Sequence, residues 1–492
     1  MKTKISSAFS SKKTLLLIRI LFLLFLACAF VKAGFAREPL PLPAAVEQEL
    51  KRANIPADSV GIWVQPLSGA RNPKIAALAL NETKPFVTAS IMKIVTSYAA
   101  LEILGPTYKW KTEVHTNGRI SGDVLEGDLI FRGSGDPKLT TENFWLLVRS
   151  IRQRGIREIQ GDIVLDRSRY APQNFNPAAF DNDPSRPYNA GPDALLLNYK
   201  SVEALFRPDE EDGTVSVSLT PALDGFSVTP PVLNDRARCE GWQKTVLPTF
   251  NGNRAVFEGQ YPLSCGDQIW YVSPHPMSSS DFFRAVFASM WKEAGGRFGG
   301  RVRNETVPAA AQLLTEWFSP PLSEILVGIN KHSNNVMSRH ALMTMGAVAT
   351  RQPGSPEAGA SAVRALLARK NIAQDGLVIE NGSGLSRTER ASPRLLGQVL
   401  AHSFQSASMP EMMASLAIAG RDGTLWRSLR QTRLAGKAHL KTGAIFEVRS
   451  IAGYILAASG ERYAVVFVVN HPNAGQSAKA RDAFLVWVHD NG

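Results

Sequence analysis

Residues 86–104 read FVTASIMKIVTSYAALEIL, a stretch that combines a helical pattern with a pair of reactive side chains. Its apolar residues recur at helical spacing, which predicts a helix. Ser90 and Lys93 are three residues apart, so on a helix they face the same side. Lysine can deprotonate a serine hydroxyl when burial or a nearby positive charge lowers the lysine pKa. The pair therefore predicts a nucleophile and its base, although Ser10 and Lys13 share the spacing, so the spacing alone is weak evidence.

Two further tripeptides carry candidate site residues. Ser-Asn-Asn at residues 333–335 lies between two helical patterns, and its hydroxyl and amides can project into one cleft. The alternative is that these residues only cap the following helix. Lys-Thr-Gly at residues 441–443 lies on a predicted strand, where lysine and threonine can bind a carboxylate and glycine admits a ligand backbone. The alternative there is an ordinary exposed strand that runs into a turn.

The chain around these motifs predicts a sheet that is divided in sequence. Apolar runs at 60–64 and 75–80 predict a hairpin joined by a turn at 68–73. With them we expect one five-stranded sheet, completed by three late strands at residues 439–442, 451–456 and 463–469.

Short strand-like runs and turn residues fill the middle of the chain. We therefore predict a catalytic domain in two parts, residues 37–105 and 311–492, separated by a β-rich insertion of one or two domains at residues 106–310.

The N-terminus predicts export. Basic residues precede an apolar run at 20–31, and small residues follow it, which indicates a secretory signal peptide over residues 1–36. The alternative is an uncleaved membrane anchor, although a membrane span usually needs about 20 apolar residues. The formal net charge is +12, and residues 1–36 hold six basic and no acidic residues. We find no basic run with interleaved aromatic residues, so we predict no nucleic-acid partner.

Two of the three cysteines, Cys239 and Cys265, lie beyond the predicted signal peptide. In an oxidising compartment they are candidates for a disulfide, and the alternative is two free buried thiols. Neither cysteine has the spacing of metal ligands, and the eight histidines form no cluster. We therefore predict no metal and no cofactor.

The three motifs occur in the order that is typical of penicillin-binding proteins and serine β-lactamases. Further stretches support the resemblance, namely GSGDP at 133–137, GDIVLD at 161–166, NGSGLSR at 381–387 and GRDGTL at 420–425. The chain resembles the class C, low-molecular-mass penicillin-binding proteins, which are D-alanyl-D-alanine carboxypeptidase/endopeptidases. The resemblance covers nearly all of the chain after the signal peptide. It implies an α/β (α+β) fold with a five-stranded antiparallel sheet flanked by helices.

The resemblance also implies roles for individual residues. Ser90 would form the acyl-enzyme, Lys93 would accept its proton, and Ser333 would pass a proton to the leaving D-alanine. Substrate-binding roles fall to Asn335, Lys441, Thr442, Gly443 and Ala444, with Arg387 and Asp166 as weaker candidates. The backbone N–H groups of Ser90 and Ala444 would form the oxyanion hole.

Three positions depart from the pattern of the family. Position 444 is alanine where the family usually has serine or threonine, so a hydroxyl near the substrate carboxylate is lost while the backbone donor stays. Asn334 and Asn381 stand where aspartate is more common. We expect these changes to alter substrate preference and not to remove a catalytic role.

The implied function is a periplasmic serine-type carboxypeptidase/endopeptidase that acts on peptidoglycan stem peptides. β-Lactams would acylate Ser90 because they mimic the D-alanyl-D-alanine end. One rival is a β-lactamase or esterase, which would release its acyl group quickly. The other is a wall-binding protein without activity, which would have no need of Ser90, Lys93, Ser333 and Lys441 together.

Overall fold

The structure is a computed structural model that describes residues 41–67, 74, 75 and 77–492. The predicted signal peptide and the predicted turn at 68–73 lie outside these residues. Within the described part of the chain, no helix is both long and apolar enough to cross a membrane.

The helices of the described residues are short to medium in length, and Lys93 and Asn335 lie in the first turns of two of them. They are α1 (Ala44–Arg52), α2 (Met92–Leu104), α3 (Thr141–Arg152), α4 (Ser279–Glu293), α5 (Leu322–Asn330), α6 (Asn335–Thr350), α7 (Pro356–Arg369), α8 (Pro393–Gln405), α9 (Met409–Ser415) and α10 (Ala478–Asn491).

The strands are concentrated in the middle and at the end of the chain. They are β1 (Val60–Pro66), β2 (Leu78–Leu80), β3 (Phe86–Val87), β4 (Lys111–Thr116), β5 (Arg119–Ser121), β6 (Val124–Glu126), β7 (Leu129–Gly133), β8 (Glu158–Ile159), β9 (Ile163–Asp166), β10 (Val202–Asp209), β11 (Thr214–Thr220), β12 (Ser227–Thr229), β13 (Val232–Asn234), β14 (Val246–Asn251), β15 (Arg254–Pro262), β16 (Gln268–Val272), β17 (Arg297–Phe298), β18 (Val302–Asn304), β19 (Gln312–Phe318), β20 (Arg390–Ala391), β21 (Ala417–Ile418), β22 (Ala438–Ile445), β23 (Val448–Leu456) and β24 (Arg462–Asn470).

One antiparallel sheet joins the two ends of the chain, with the strand order β2-β1-β24-β23-β22-β21. It contains the five predicted strands, although the second begins at Leu78 and not at residue 75. The predicted number of five strands is corrected to six, because β21 adds an edge strand. Its two residues are too few to show the alternation by which a strand is recognised in sequence.

β24 shows why this sheet lies at the centre of the fold. Tyr463, Val465 and Phe467 pack in one hydrophobic cluster, whereas Ala464 and Val466 pack in another. Helices α1 and α10 contribute to the first cluster, and α2 and α8 contribute to the second. Helices therefore cover both faces of the sheet, which explains the almost unbroken apolar sequence of this strand.

The strands β4 to β19 form separate sheets. These sheets are β18-β9-β7-β4-β19, β17-β8-β6-β5, β11-β10-β16 and a group in which β12, β13 and β14 pair with β15. Helices α3 and α4 pack with them around a cluster that includes Phe131, Phe144 and Phe283. Because β19 pairs with β4, the strand-rich region continues past residue 310. The bounds of the domains stay a prediction.

Cys239 and Cys265 form a disulfide in this strand-rich region, with a Cα–Cα distance of 4.8 Å and a sequence separation of 26. Both residues pack against the hydrophobic cluster of the region. In the chain-entropy model, closing a loop of this size stabilises a fold by about 3–4 kcal/mol.

Several side chains hold the strand-rich region against α6. Trp110 Nε1 donates to Thr344 Oγ1 at 2.9 Å, and the hydroxyl of Tyr170 lies 2.9 Å from the same Oγ1. Arg339 Nη1 donates to the carbonyl oxygen of Ala190 at 2.8 Å. These contacts fix the helix that begins with a predicted site residue.

Candidate active site

Ser90 lies between β3 and α2. The 3₁₀ turn Ala89–Ile91 joins these elements, and Ala89 has a φ of 48°. A left-handed conformation costs a non-glycine residue about 1–2 kcal/mol, so neighbouring contacts must hold it. Gly384 packs directly on this turn, where a Cβ atom would clash with the carbonyl of Ala89. The turn leaves Ser90 partly exposed at the start of the helix.

Lys93 is fully buried one helical turn beyond Ser90. Its Nζ lies 3.1 Å from Ser90 Oγ and donates to Asn335 Oδ1 at 2.6 Å. It also donates to the carbonyl oxygen of Ser383. The amine is therefore fixed on the hydroxyl by contacts from α6 and from the loop before β20.

Burial and neighbouring charges change the pKa of Lys93. Burial is the largest cause and lowers the pKa well below its usual value, and the cationic side chain of Lys441 lowers it further. Glu389 raises this pKa, and Arg339 lowers it. A lowered pKa favours the neutral amine, which is the form that can accept a proton from serine.

Ser333 and Lys441 form a second pair of a hydroxyl and an amine. Lys441 Nζ donates to Ser333 Oγ at 2.9 Å and to the carbonyl oxygen of Thr442 at 2.7 Å. Lys441 is fully buried, and this burial lowers its pKa to about 7. Two lysines with lowered pKa values thus each contact a serine hydroxyl.

The tripeptide 333–335 serves both the helix and the site. Asn334 caps α6, since its side chain accepts a hydrogen bond from the backbone N–H of Met337 at 3.0 Å. Ser333 on one side of it contacts Lys441, and Asn335 on the other contacts Lys93. The capping interpretation therefore applies to Asn334. Its two neighbours join the polar cluster formed by Ser90, Lys93, Ser333, Asn335 and Lys441.

β22 brings its backbone close to Ser90. A Cβ atom on Gly443 would lie 3.0 Å from the backbone nitrogen of Ser90, so glycine is what permits this approach. Thr442 Oγ1 donates to Thr424 Oγ1 at 2.9 Å, and Ala444 is exposed two residues further along the strand.

One edge of β22 is open beside these residues. β21 pairs with β22 only at His439 and Leu440. Among the described residues, no strand pairs with β22 on that side from Lys441 onward. Unpaired backbone groups on a sheet edge are a surface on which an extended peptide can add as a strand.

The match to a family model decides the class of enzyme. Residues 42–491 match the D-Ala-D-Ala carboxypeptidase 3 (S13) family. The chain belongs to this family. It is therefore a serine-type D-Ala-D-Ala carboxypeptidase of the low-molecular-mass penicillin-binding class.

Sequence relatives agree with this membership of the S13 family. D-alanyl-D-alanine carboxypeptidase DacB of Haemophilus influenzae is 26% identical over 408 residues, which cover 82% of this chain and 85% of the relative. D-alanyl-D-alanine carboxypeptidase of Actinomadura sp. (strain R39) is 27% identical over 427 residues, which cover 81% of this chain and 76% of the relative.

Solved structures share the fold. The crystal structure of penicillin binding protein 4 from Haemophilus influenzae matches with a TM-score of 0.74 at 22% identity, over 90% of this chain and 99% of that chain. The same protein complexed with a novel β-lactam matches with a TM-score of 0.70 at 23% identity, over 90% of this chain and 100% of that chain. The S13 protein thus has the α/β fold that its sequence predicts.

Arg387 lies at the rim of the polar cluster around Ser90 and Lys441. Its guanidinium carbon is 5.1 Å from the ring centroid of Phe180 and 5.9 Å from that of Phe446. Its Nη1 also donates to the carbonyl oxygen of Phe446 at 3.4 Å. Because Phe446 follows the end of β22, these contacts place Arg387 near Ala444.

Among the described residues, Asp166 makes no hydrogen bond or ion pair with the predicted catalytic residues Ser90, Lys93 and Ser333. Asp166 is buried at the end of β9, where its carboxylate accepts hydrogen bonds from the backbone N–H groups of Ser168 and Val307 at 2.9 and 3.0 Å. It lines a cavity of about 770 Å³, and none of the predicted catalytic residues lines that cavity. Its contacts are those of a carboxylate that fixes a turn.

Sequence reasoning missed three residues that contact or influence Lys93. Ser383 contributes a backbone carbonyl, which no side-chain pattern reveals. Arg339 and Glu389 are buried and act on the pKa of Lys93 through their charges. An arginine in a helix and a glutamate in a polar loop look like surface residues, and only their burial distinguishes them.

Proposed function

We propose that this protein is an exported peptidase that hydrolyses peptidoglycan stem peptides through a Ser90 acyl-enzyme. It removes a terminal D-alanine, cuts D-alanyl cross-links, or does both. The observation that carries the proposal is the fully buried amine of Lys93 at 3.1 Å from Ser90 Oγ. Family membership supports the substrate class.

In acylation, Lys93 takes the proton of Ser90 while Oγ attacks the carbonyl carbon of the penultimate D-alanine. The backbone N–H groups of Ser90 and Ala444 stabilise the oxyanion, and loss of one such donor typically costs about 3 kcal/mol. The close approach of Gly443 to the nitrogen of Ser90 supports this arrangement, because it brings the two backbones together.

When the C–N bond breaks, Ser333 gives a proton to the amine of the leaving D-alanine. Lys441 supports this step through its hydrogen bond to Ser333 Oγ. The proton that Lys93 took from Ser90 then replaces the proton that the Ser333–Lys441 pair has lost. The net transfer is therefore from Ser90 to the leaving amine. Lys93 is then neutral again and deprotonates the water that attacks the ester on Ser90. As the bond between the acyl carbon and Oγ breaks, Lys93 returns this proton to Ser90 Oγ, which restores the free enzyme.

Substrate binding uses the same strand. Lys441 and Thr442 hold the terminal carboxylate, and this negative charge favours the protonated form of Lys441. Asn335 and the open edge of β22 bind the peptide backbone, as in other complexes in which a peptide adds to a sheet edge. Arg387 contacts the substrate at the rim, and Asp166 has no part in this proposal.

The predicted signal peptide supports a periplasmic location, where peptidoglycan is the partner. β-Lactams acylate Ser90 because they mimic the D-alanyl-D-alanine end of the substrate. The complex of the Haemophilus influenzae relative with a β-lactam supports this expectation. The proposed reaction requires no cofactor.

Intact mass spectrometry of the purified protein with benzylpenicillin tests the proposal, with Ser90→Ala as the control. We expect an adduct of one penicillin per protein that persists for minutes and is absent in Ser90→Ala. An adduct that disappears within seconds indicates a β-lactamase. No adduct on the wild-type protein refutes the acyl-enzyme and favours a wall-binding protein. With the adduct established, muropeptide digestion followed by chromatography separates carboxypeptidase from endopeptidase activity.

A further inference from the structure

Glu389 is a fully buried carboxylate that collects the backbone N–H groups of a loop. Its Oε1 accepts from Glu380 at 3.0 Å, from Asn381 at 2.8 Å and from Gly382 at 2.6 Å. Its Oε2 accepts from Gly384 at 2.6 Å. Each of these partners is a donor, which is the pattern that an ionised carboxylate satisfies. Backbone N–H groups that converge in this way form an anion-binding nest, and here the anion belongs to the same chain.

The opposite side of this loop, residues 380–384, presents carbonyl groups to the site. The carbonyl oxygen of Ser383 accepts a hydrogen bond from Lys93 Nζ. The carbonyl oxygen of Gly382 accepts from Thr96 Oγ1 at 2.6 Å and from Ser338 Oγ at 2.8 Å. Since the carboxylate fixes the N–H groups on one side, it also fixes the direction of the carbonyls on the other.

Glu389 also supplies a negative charge among buried cations. The charged groups that act on Lys93 are Lys441 from β22, Arg339 from α6 and Glu389 from the loop before β20, and Glu389 alone among these three is acidic. Burial raises the pKa of Glu389, and its backbone donors oppose that rise. A buried ionised group is stable only when it is paired or well hydrogen-bonded, a condition that these donors meet.

We propose that Glu389 is a positioning residue for acylation. Its carboxylate holds the 380–384 loop so that the Ser383 carbonyl fixes Lys93 Nζ on Ser90 Oγ, and its charge offsets those of the surrounding cations. This inference rests on the proposed roles of Ser90 and Lys93.

The variant Glu389→Gln removes the charge and one acceptor while it keeps the size of the side chain. The measurement is the second-order rate constant for acylation by benzylpenicillin from pH 5 to pH 10. We expect the rate constant to fall about 10- to 100-fold, the loss that follows when a reacting group is misplaced. We also expect the acid limb of the pH profile to move to lower pH, because the charge that raises the pKa of Lys93 is gone.

Two further variants separate positioning from general destabilisation. Glu380 lies in the same loop, but it is exposed and its carboxylate accepts from the hydroxyls of Ser386 and Thr388. Glu380→Gln is therefore the matched control. It should keep the wild-type rate constant and the wild-type midpoint of the acid limb of the pH profile. Glu389→Asp retains the charge on a shorter side chain, so we expect the wild-type midpoint with a reduced rate.

Each outcome decides the proposal. A folded Glu389→Gln variant with the wild-type rate and midpoint overturns it. A lower rate with an unmoved midpoint also overturns it, since a merely structural role would produce that result. If Glu389→Gln does not fold, Glu389→Asp decides together with its thermal unfolding temperature. A reduced acylation rate in a variant that unfolds at the wild-type temperature supports the proposal, and a wild-type rate, or a rate that falls only together with that temperature, rejects it. A wild-type protein that is not acylated refutes the proposed function itself, which is a distinct result.

Discussion

The site contains two fully buried lysines, and their surroundings differ. Lys93 lies on a helix, where it contacts a serine hydroxyl, an amide oxygen and a loop carbonyl, with a buried glutamate nearby. Lys441 lies on a strand, where it contacts Ser333 and a backbone carbonyl, and burial is the cause of its lowered pKa. The comparison supports the proposal that the neighbours of each lysine fit the same residue type to a different task. In the proposed mechanism, Lys93 accepts a proton and Lys441 binds a negatively charged carboxylate.

The largest effect on acylation should follow from removal of the Lys93 amine. We expect Lys93→Met to lower the rate of penicillin acylation about 1,000-fold, because a positioned general base typically contributes 100- to 10,000-fold. The rate of adduct formation in intact mass spectra measures the change, and thermal unfolding confirms that the variant is folded. A folded variant that reacts within tenfold of the wild-type rate would remove Lys93 from the role of base.

The lowered pKa of Lys441 should contribute to the pH dependence of the free energy of unfolding. Its pKa is about 7 in the folded protein, whereas an unfolded lysine has a pKa near its usual value of 10.5. Between these values the unfolded chain binds the additional proton, so the free energy of unfolding rises with pH. One such group contributes up to about 1.4 kcal/mol per pH unit.

Denaturant unfolding of the wild-type protein and of Lys441→Met between pH 7 and 10 measures this contribution. We expect a shallower rise in the variant, with the remaining slope coming in part from Lys93, whose pKa is lowered in the same direction. Equal slopes in the two proteins would show that Lys441 stays protonated in the folded state.

The smallest effect on acylation should come from substitution of Asn334. This residue lies between Ser333, which contacts Lys441, and Asn335, which contacts Lys93. Its side chain caps α6, and loss of such a cap typically costs about 1 kcal/mol. We expect Asn334→Ala to reduce the free energy of unfolding by about that amount, while acylation stays within twofold of wild type. Ser333→Ala and Asn335→Ala are the matched comparisons. These substitutions remove contacts to Lys441 and Lys93, so both should slow acylation more than Asn334→Ala does. A strong loss of acylation in Asn334→Ala would contradict the division of roles in this tripeptide.

Much of the site follows from local spacing. Ser90 and Lys93 are three residues apart, and the geometry of a helix is enough to bring them together. Membership of the family and the α/β fold also follow, because the motifs keep their order along the chain. Arg387 could be predicted as a candidate from a matching stretch, but its contacts with Phe180 and Phe446 depend on parts of the chain that are distant in sequence.

Other features depend on long-range packing. Lys93 and Asn335 are separated by 242 residues and still make a 2.6 Å hydrogen bond. β21 is too short to give a sequence signal, and its place in the sheet comes from pairing with β22. Asp166 matches a family stretch, but its hydrogen bonds to the backbone N–H groups of Ser168 and Val307 could not be read from that stretch.

The α/β class follows from the sequence alone, which also predicts the pairing of Ser90 with Lys93, the two other motifs and an export signal. These depend on residue identity and on spacing over a few positions. Tertiary structure alone decided which charges are buried, and therefore the direction in which each lysine pKa moves and the position of Glu389 beneath its loop. Burial and electrostatics arise from groups that fold together from distant parts of the chain, so no local pattern contains them.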